Sequence, residues 1–183
     1  GIITVGHAVA ETTTRSFTIN DTATDKTVHD YKNAKVASSG YTGKKLDGTT
    51  DNAIKESMLV ENVYDLQNMD AKLAGNYMLS GNIDASETNS WNTGAGFSPV
   101  GDVTTLFNGT FDGLNHTING LTINRPTTNY VGLFGYVYGG ATKNVGLVGG
   151  SITGYSFVGG VAGDNSGKIE NAYNTGAGSG SGA

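Results

Sequence analysis

Two phrases, YVGLFG at Tyr130–Gly135 and FVGGVAG at Phe157–Gly163, set Val131 and Val158 27 residues apart. At the same spacing Tyr130 falls on Phe157, Asn144 on Asn171, Val145 on Ala172 and Gly149 on Gly176. A fixed period of this length belongs to repeat architectures, in which one repeat cannot bury its apolar face alone and must stack on the next. A weaker echo sets INGLTI (Ile118–Ile123) against KNVGLV (Lys143–Val148), offset by about 25.

The texture from Asn76 onward fixes what one repeat is. Short apolar runs (YMLSGNI, TLFNGTF, HTINGLTI, YVGLFGYV, KNVGLV, GSITG, FVGGVAG, KIENAY) are divided by Gly, Asn, Ser and Thr. Strands of this length, joined by turns at a period near 27, predict an all-β fold, a β-solenoid of parallel coils stacked in register. Val131 over Val158 and Tyr130 over Phe157 are then expected as interior ladders, and Asn144 over Asn171 as an amide ladder. Gly132, Gly135, Gly159 and Gly163 are expected at corners, where a positive φ is required and a Cβ would clash. An antiparallel sandwich is the alternative, but hairpins do not call for residue identity at a fixed spacing.

Upstream the pattern changes. Val63, Leu66, Met69 and Leu73 recur at helical spacing, which predicts an amphipathic helix at about Asn62–Ala74 with Asn62 as N-cap and Gly75 as a left-handed C′ residue. It is expected to cover the open end of the first coil. Residues 1–57 hold short alternating runs such as Arg15–Asn20 and Lys26–Tyr31 but no visible repeat, so that segment is strand-rich and unassigned. The expected organisation is 1–57 leading segment, 58–75 capping helix, 76–175 coils, and 176–183 (GAGSGSGA) a flexible tail or linker. The chain reads as a piece of something longer.

Composition narrows the function. The chain has 29 Gly, of which 21 lie in 96–183, but only 2 Pro and no Cys, so it is neither collagen-like nor disulfide-bonded. Charge is low, 15% with a net of −5, which gives no footprint for nucleic acid or an anionic membrane. No apolar run approaches a membrane span, so no membrane insertion is expected.

The motifs that might carry chemistry each fall short. AGDNSGKI (Ala162–Ile169) approaches a phosphate loop, but Ile169 stands where a hydroxyl must hold Mg²⁺. GGVAGD (Gly159–Asp164) approaches a calcium nonapeptide, with Ala162 in place of a glycine. Asp112 and His116 form the most enzyme-like pair, which Asp84 and Asp102 could join on adjacent coils, with Arg125 the only nearby arginine. A corner Asp capping backbone N–H groups is the stronger reading. His7 and His29 have no ligand spacing, and Tyr130, Tyr136, Tyr138 and Tyr155 could give a sugar-stacking face or fill the interior. No cofactor, no metal and no catalytic residue is expected. Only six Asp, Glu, Lys or Arg lie in 107–183, too few for a polyuronate-cleaving groove.

NYMLSGNIDAS, FSPVG, FNGTFDGLNHTINGLTI, YVGLFG and FVGGVAG, in that order, resemble the GLUG-motif family. Such repeats occur in filamentous-haemagglutinin-like bacterial exoproteins and in streptococcal immunoglobulin A proteases. The resemblance covers about Val63–Gly176 and implies a right-handed parallel β-helix on a secreted or surface-displayed bacterial protein. It also implies a spacer or adhesive role; the protease activity does not carry over, because its zinc motif is missing here. The expectation is a non-enzymatic adhesin-like module whose partners are surface glycans or proteins, bound weakly and multivalently. The alternatives are a subunit of an extracellular filament, joined to other copies end to end, and a glycan-cleaving β-helix.

Overall fold

The computed structural model describes residues 57–182 and, in the leading segment, only the backbone of four short strands. These are β1 (Thr14–Ser16) with β2 (Thr27–His29), and β3 (Gly43–Lys44) with β4 (Thr50–Asp51), both pairs antiparallel. The expected strands Arg15–Asn20 and Lys26–Tyr31 overlap β1 and β2; His7, the side chain of His29 and the rest of both runs lie outside the described residues.

From residue 57 the chain is mostly strand, in parallel sheets. The elements are β5 (Met58–Val60), α1 (Val63–Asn68), β6 (Asn76–Leu79), β7 (Ile83–Asp84), β8 (Thr110–Asn119), β9 (Thr122–Asn124), β10 (Phe134–Val148), β11 (Ser151–Gly154), β12 (Ala162–Asn174) and β13 (Ala177–Gly180). One sheet has the order β12-β10-β8-β6-β5, with β7 pairing the far end of β8; a second has the order β13-β11-β9. Every pairing in both is parallel. Successive strands within one sheet are therefore successive layers of the chain.

A third side is held by backbone bonds between irregular stretches. Val131 N–H donates to Phe157 O and Gly159 N–H returns to Val131 O, both at 2.9 Å, around the bridge Val131↔Val158. One layer below, Val100 N–H donates to Leu133 O at 2.9 Å and Gly135 N–H to Val100 O at 3.0 Å. In the layer below that, α1 occupies this side in place of a strand.

The side chains alternate as a pleated strand requires, and the inward set forms the core. Tyr77, Trp91, Phe97, Phe107, Phe111 and Phe134 are all fully buried. Phe134 meets Phe107 at 4.5 Å and Phe111 edge-on at 5.5 Å, and Phe107 meets Tyr77 at 6.4 Å, which ties three layers together. The register runs Met58, Tyr77, Phe111, Thr142, Ile169 up one inward column and Ile83, Ile118, Leu147, Asn174 up another.

Several expectations are corrected here. The predicted helix is two pieces, α1 and a 3-10 stretch Met69–Lys72, and β5 lies inside the segment assigned wholly to it. Asn62 does cap the start, its Oδ1 accepting from Tyr64 N–H at 2.9 Å and Asp65 N–H at 3.0 Å. Val63, Leu66 and Met69 are buried and Leu73 packs against the core. Through Gln67 and Ser98, α1 packs against the layer of β8, so it sits in the layer of β6, with β5 one strand further out in the sheet. Gly75 does not take a left-handed φ; a Cβ there would press on Met58 Cε and, at 2.7 Å, on the Tyr77 ring.

The tail is not a linker over Ala177–Gly180: β13 pairs β11 residue for residue from Ser151↔Ala177 to Gly154↔Gly180. The echo at an offset near 25 is not the register either. Ile118 pairs with Leu147 and Asp112 with Lys143, because β8 carries Gly113, Leu114 and Asn115 at a corner that β10 turns with Asn144 alone.

Candidate functional site

Two outward-facing ladders and one acidic loop hold most of the chemistry outside the core. The first ladder is aromatic. Tyr130 and Phe157 stack with ring centroids 4.6 Å apart and planes 1° from parallel. Tyr136 lies 5.9 Å from Tyr130, at 8°, and Tyr138 meets Tyr136 edge-on at 6.3 Å. The expected interior ladder of Tyr130 over Phe157 is thus an exterior one: Phe157 is 54% exposed. Both residues have left-handed backbones, φ 59° and 55°, and this conformation swings Cβ away from the core while Val131 beside it turns in, fully buried. Val158 is only partly buried, in the outermost layer.

That conformation is costly. An L-residue in it loses roughly 1–2 kcal/mol, and glycine or asparagine is the usual occupant. Gly96 turns left-handed (φ 78°) in an earlier layer, and Asn144 and Asn171 (φ 54° and 48°) turn the neighbouring corner. An aromatic pair returns about 0.5–1.5 kcal/mol, and face-to-face overlap is not its best geometry. The stacking of Tyr130 on Phe157 therefore does not offset two strained residues, one of them half exposed. Beside the column the Tyr136 hydroxyl shares a 3.0 Å hydrogen bond with Ser166 Oγ, and no charged residue occurs in 126–142 or 144–163. Asp164 stands in register with Tyr136 in the next layer, a carboxylate that sequence reasoning did not associate with the tyrosines.

The second ladder is polar. Asn171 Nδ2 donates to Asn144 Oδ1 at 3.2 Å, and Asn144 Nδ2 donates to Asp112 Oδ1 at 3.0 Å. Asp112 also accepts from Leu114 N–H at 3.0 Å and pairs with Lys143 at 3.1 Å. Partial burial alone would raise its pKa, but the Leu114 N–H, the Asn144 amide and Lys143 outweigh that and hold it below the usual carboxylate range. A base so fully engaged is poorly placed to take a proton from a substrate. His116 is on the same strand, in register with Val145.

The other candidate acids do not converge on Asp112. Asp102 Oδ1 accepts from the hydroxyls and N–H groups of both Thr104 and Thr105, at 2.7–3.0 Å. These bonds, the Thr104 hydroxyl foremost, lower its pKa to about 2. Asp84 accepts from Ser86 N–H and pairs in register with Asn119, at the far end of β8. Arg125 donates its Nε–H to Phe97 O at 3.1 Å, half-buried, so that it braces a turn. Among the described residues no three His, Asp or Glu are grouped to hold a metal ion.

The phosphate-loop lookalike is strand, and the calcium lookalike is strand from Ala162 onward. Gly167 and Lys168 lie inside β12, with Lys168 paired to Glu170 at 2.9 Å, both exposed. The four expected corner glycines do not have positive φ. Their missing Cβ matters for close approach instead: one on Gly132 would lie 2.8 Å from Gly159 O, and one on Gly163 2.5 Å from the Tyr130 backbone. Gly135 and Gly159 likewise face carbonyl oxygens, of Gly101 and Ala162.

Two curated proteins are similar in sequence. Over 137 residues, 71% of this chain, it is 37% identical to Halomucin of Haloquadratum walsbyi, of which the match covers 2%. Over 82 residues, 43% of the chain, it is 39% identical to a putative Gly-rich membrane protein of Evansella cellulosilytica, of which the match covers 10%. The chain thus spans a small fraction of either relative's length. No family model and no solved structure matches it.

Proposed function

We propose that the chain is a segment of a right-handed parallel β-solenoid in a large secreted or surface-displayed bacterial or archaeal protein, serving as a rigid, non-enzymatic display and adhesion module. The observation that carries this reading is the three-sided stack of parallel layers whose equivalent residues form continuous ladders: Val131 with Val158, Asn144 with Asn171, Ile123 with Ile152. A right-handed crossover is the strong rule for parallel connections. The GLUG-type order of motifs, the small share of two long relatives and the membrane protein among them support a surface setting. The candidate acids are engaged by their own loops and, at Asp112, by Asn144 and Lys143 of the next layer, which supports a role without catalysis.

The test is small-angle scattering of the purified chain together with polysaccharide turnover assays. An elongated particle and no turnover are expected. Release of product that vanishes in Asp112→Asn would establish the glycan-cleaving reading instead. Filament formation is the second reading, since among the described residues β12 and β13 end their sheets with no further strand. Negative-stain images across concentration separate the two.

A further inference from the structure

One corner of the stack carries more chain than the fold uses. β10 and β12 turn it with a single residue each, Asn144 and Asn171, whose amides run down to Asp112 in one ladder. Between the pairs Lys143↔Asp112 and Val145↔His116, β8 sets three residues against Asn144: Gly113, Leu114 and Asn115. Leu114 and Asn115 are both left-handed, φ 49° and 65°, and Leu114 is 45% exposed. Asp112 already fills the ladder position beneath Asn144, so Asn115 lies outside the ladder. It is exposed, and among the described residues its side-chain amide has no hydrogen bond. Backbone strain kept at a surface corner, with an apolar side chain left in water, is the kind of outlier that points to use.

The sequence indicates which use. Asn115-His116-Thr117 is an Asn-x-Thr sequon, the acceptor motif for N-glycosylation. The sequon recurs at Asn20-Asp21-Thr22, outside the described residues, and at Asn108-Gly109-Thr110. The last is taken up by the layer below. Asn108 and Gly109 N–H both donate to Leu73 O, at 3.2 and 2.9 Å, and the Thr110 hydroxyl donates to Asn76 Oδ1 at 2.7 Å. At the corner, the two groups that define the motif, the Asn115 amide and the Thr117 hydroxyl, have no partner among the described residues.

Resting on the display reading above, we infer that Asn115 carries an N-linked oligosaccharide. Its Nδ2 bonds to the anomeric carbon of a sugar supplied on a polyprenyl phosphate. The bond from that carbon to the phosphate oxygen breaks, the lipid phosphate leaves with the electron pair, and the amide gives up one proton. The glycan stands in solvent beside Leu114 and covers it. It also hydrates a stretch with little charge of its own, only six Asp, Glu, Lys or Arg in 107–183. No contact of the fold is lost, because Asn115 belongs to neither the core nor the ladder.

The experiment compares the folded chain with its proteolytic peptides as acceptors for an archaeal oligosaccharyltransferase given a polyprenyl-phosphate-linked oligosaccharide. Mass spectrometry reads the sites. The peptides are expected to be modified at Asn108 and Asn115 alike, and the folded chain many-fold faster at Asn115 than at Asn108. Thr117→Ala should abolish modification at Asn115, and Thr117→Ser should retain it. The glycosylated chain should keep the parent's Tm within a few degrees, and chain secreted from an archaeal cell should emerge with Asn115 occupied. A folded chain that stays unmodified at Asn115 while the peptide reacts would overturn the inference. So would equal modification of Asn108 in the folded chain, a fall in Tm of many degrees on glycosylation, or secreted chain with Asn115 bare. The scattering profile and the turnover assay, run on chain made without glycan, do not depend on these outcomes, so the display reading stands or falls separately.

Discussion

Gln67 both donates to and accepts from Ser98: its Nε2 reaches Ser98 O at 3.0 Å, and its Oε1 takes Ser98 N–H at 2.8 Å. One side chain on α1 thus supplies both bonds that a neighbouring strand would have given this edge. Asp70 extends the substitution by accepting from Gly101 N–H at 2.9 Å. A helix can take the place of a strand in this layer because these two residues complete the edge it would otherwise leave open. Gln67→Leu keeps the volume and leaves both Ser98 groups unpaired, so a loss of about 1–3 kcal/mol is expected in denaturant unfolding. Gln67→Glu can accept but not donate while ionised, so its loss should shrink as the medium is acidified and the carboxyl regains a proton.

Leu66 points from the same helix into the core and is fully buried. Leu66→Asp would place a charge there without a partner, and several kcal/mol of destabilisation, or failure to fold, is expected. Thermal unfolding checks this; a Tm within a degree of the parent would mean that α1 does not pack as described.

The glycines divide into three mechanical kinds, and a short alanine series separates them. Gly81 has open space and no positive φ, so Gly81→Ala should change stability by less than about 0.5 kcal/mol. Gly139 has open space but φ +69°, so Gly139→Ala should cost about 1 kcal/mol. Gly135 faces the Gly101 carbonyl oxygen, with Tyr130 O at 3.1 Å, and its alanine should cost about 3 kcal/mol or more because backbone must move. The measured order of the three unfolding free energies is the check.

How much of this was legible in the sequence depends on which physical force set each feature. Val131 and Val158 were readable as neighbours because parallel layers put equivalent side chains on one another, so that selection for packing leaves a fixed spacing. The outward turn of Tyr130 and Phe157 was not, since a positive φ is a backbone state and the letters Tyr and Phe look like core. β5 was hidden because three residues, Met58–Val60, are too few to show alternation beside a helical stripe. β13 was hidden for the opposite reason: AGSG has nothing to bury, yet a parallel ladder needs only N–H and C=O groups. Gln67 carried no signal at all, because a buried amide and an exposed one are the same letter.

Asp102 gives a pH test. Its pKa of about 2 in the folded chain lies below the ordinary carboxylate value, so the folded state holds its proton less tightly than the unfolded chain does. The stabilising contribution is therefore complete above about pH 4 and is lost as pH falls toward 2. Asp112, also lowered, acts in the same direction. In a Tm-against-pH series, Asp102→Asn should lie below the parent at neutral pH and converge with it near pH 2. Curves that stay parallel throughout would show that the loop 102–105 does not draw on the ionised carboxyl.

The layers change character along the axis, and that bears on assembly. Where the β10 and β11 layer places Phe134, Val137, Val145, Leu147 and Ile152, all buried, the β12 and β13 layer places Ala162, Asn165, Ala172, Asn174 and Gly178 in register. Shrinking and polarising these five positions lowers the apolar area that this layer exposes in the isolated chain. Restoring the pattern with Ala162→Phe and Asn174→Leu should reverse it. The double variant is expected to associate in sedimentation velocity as its concentration rises, while the parent keeps one sedimentation coefficient over the same range. Association of the parent itself, abolished by a charge at Ala172, would show that the tapered layer still docks other copies and would favour the filament over the display module.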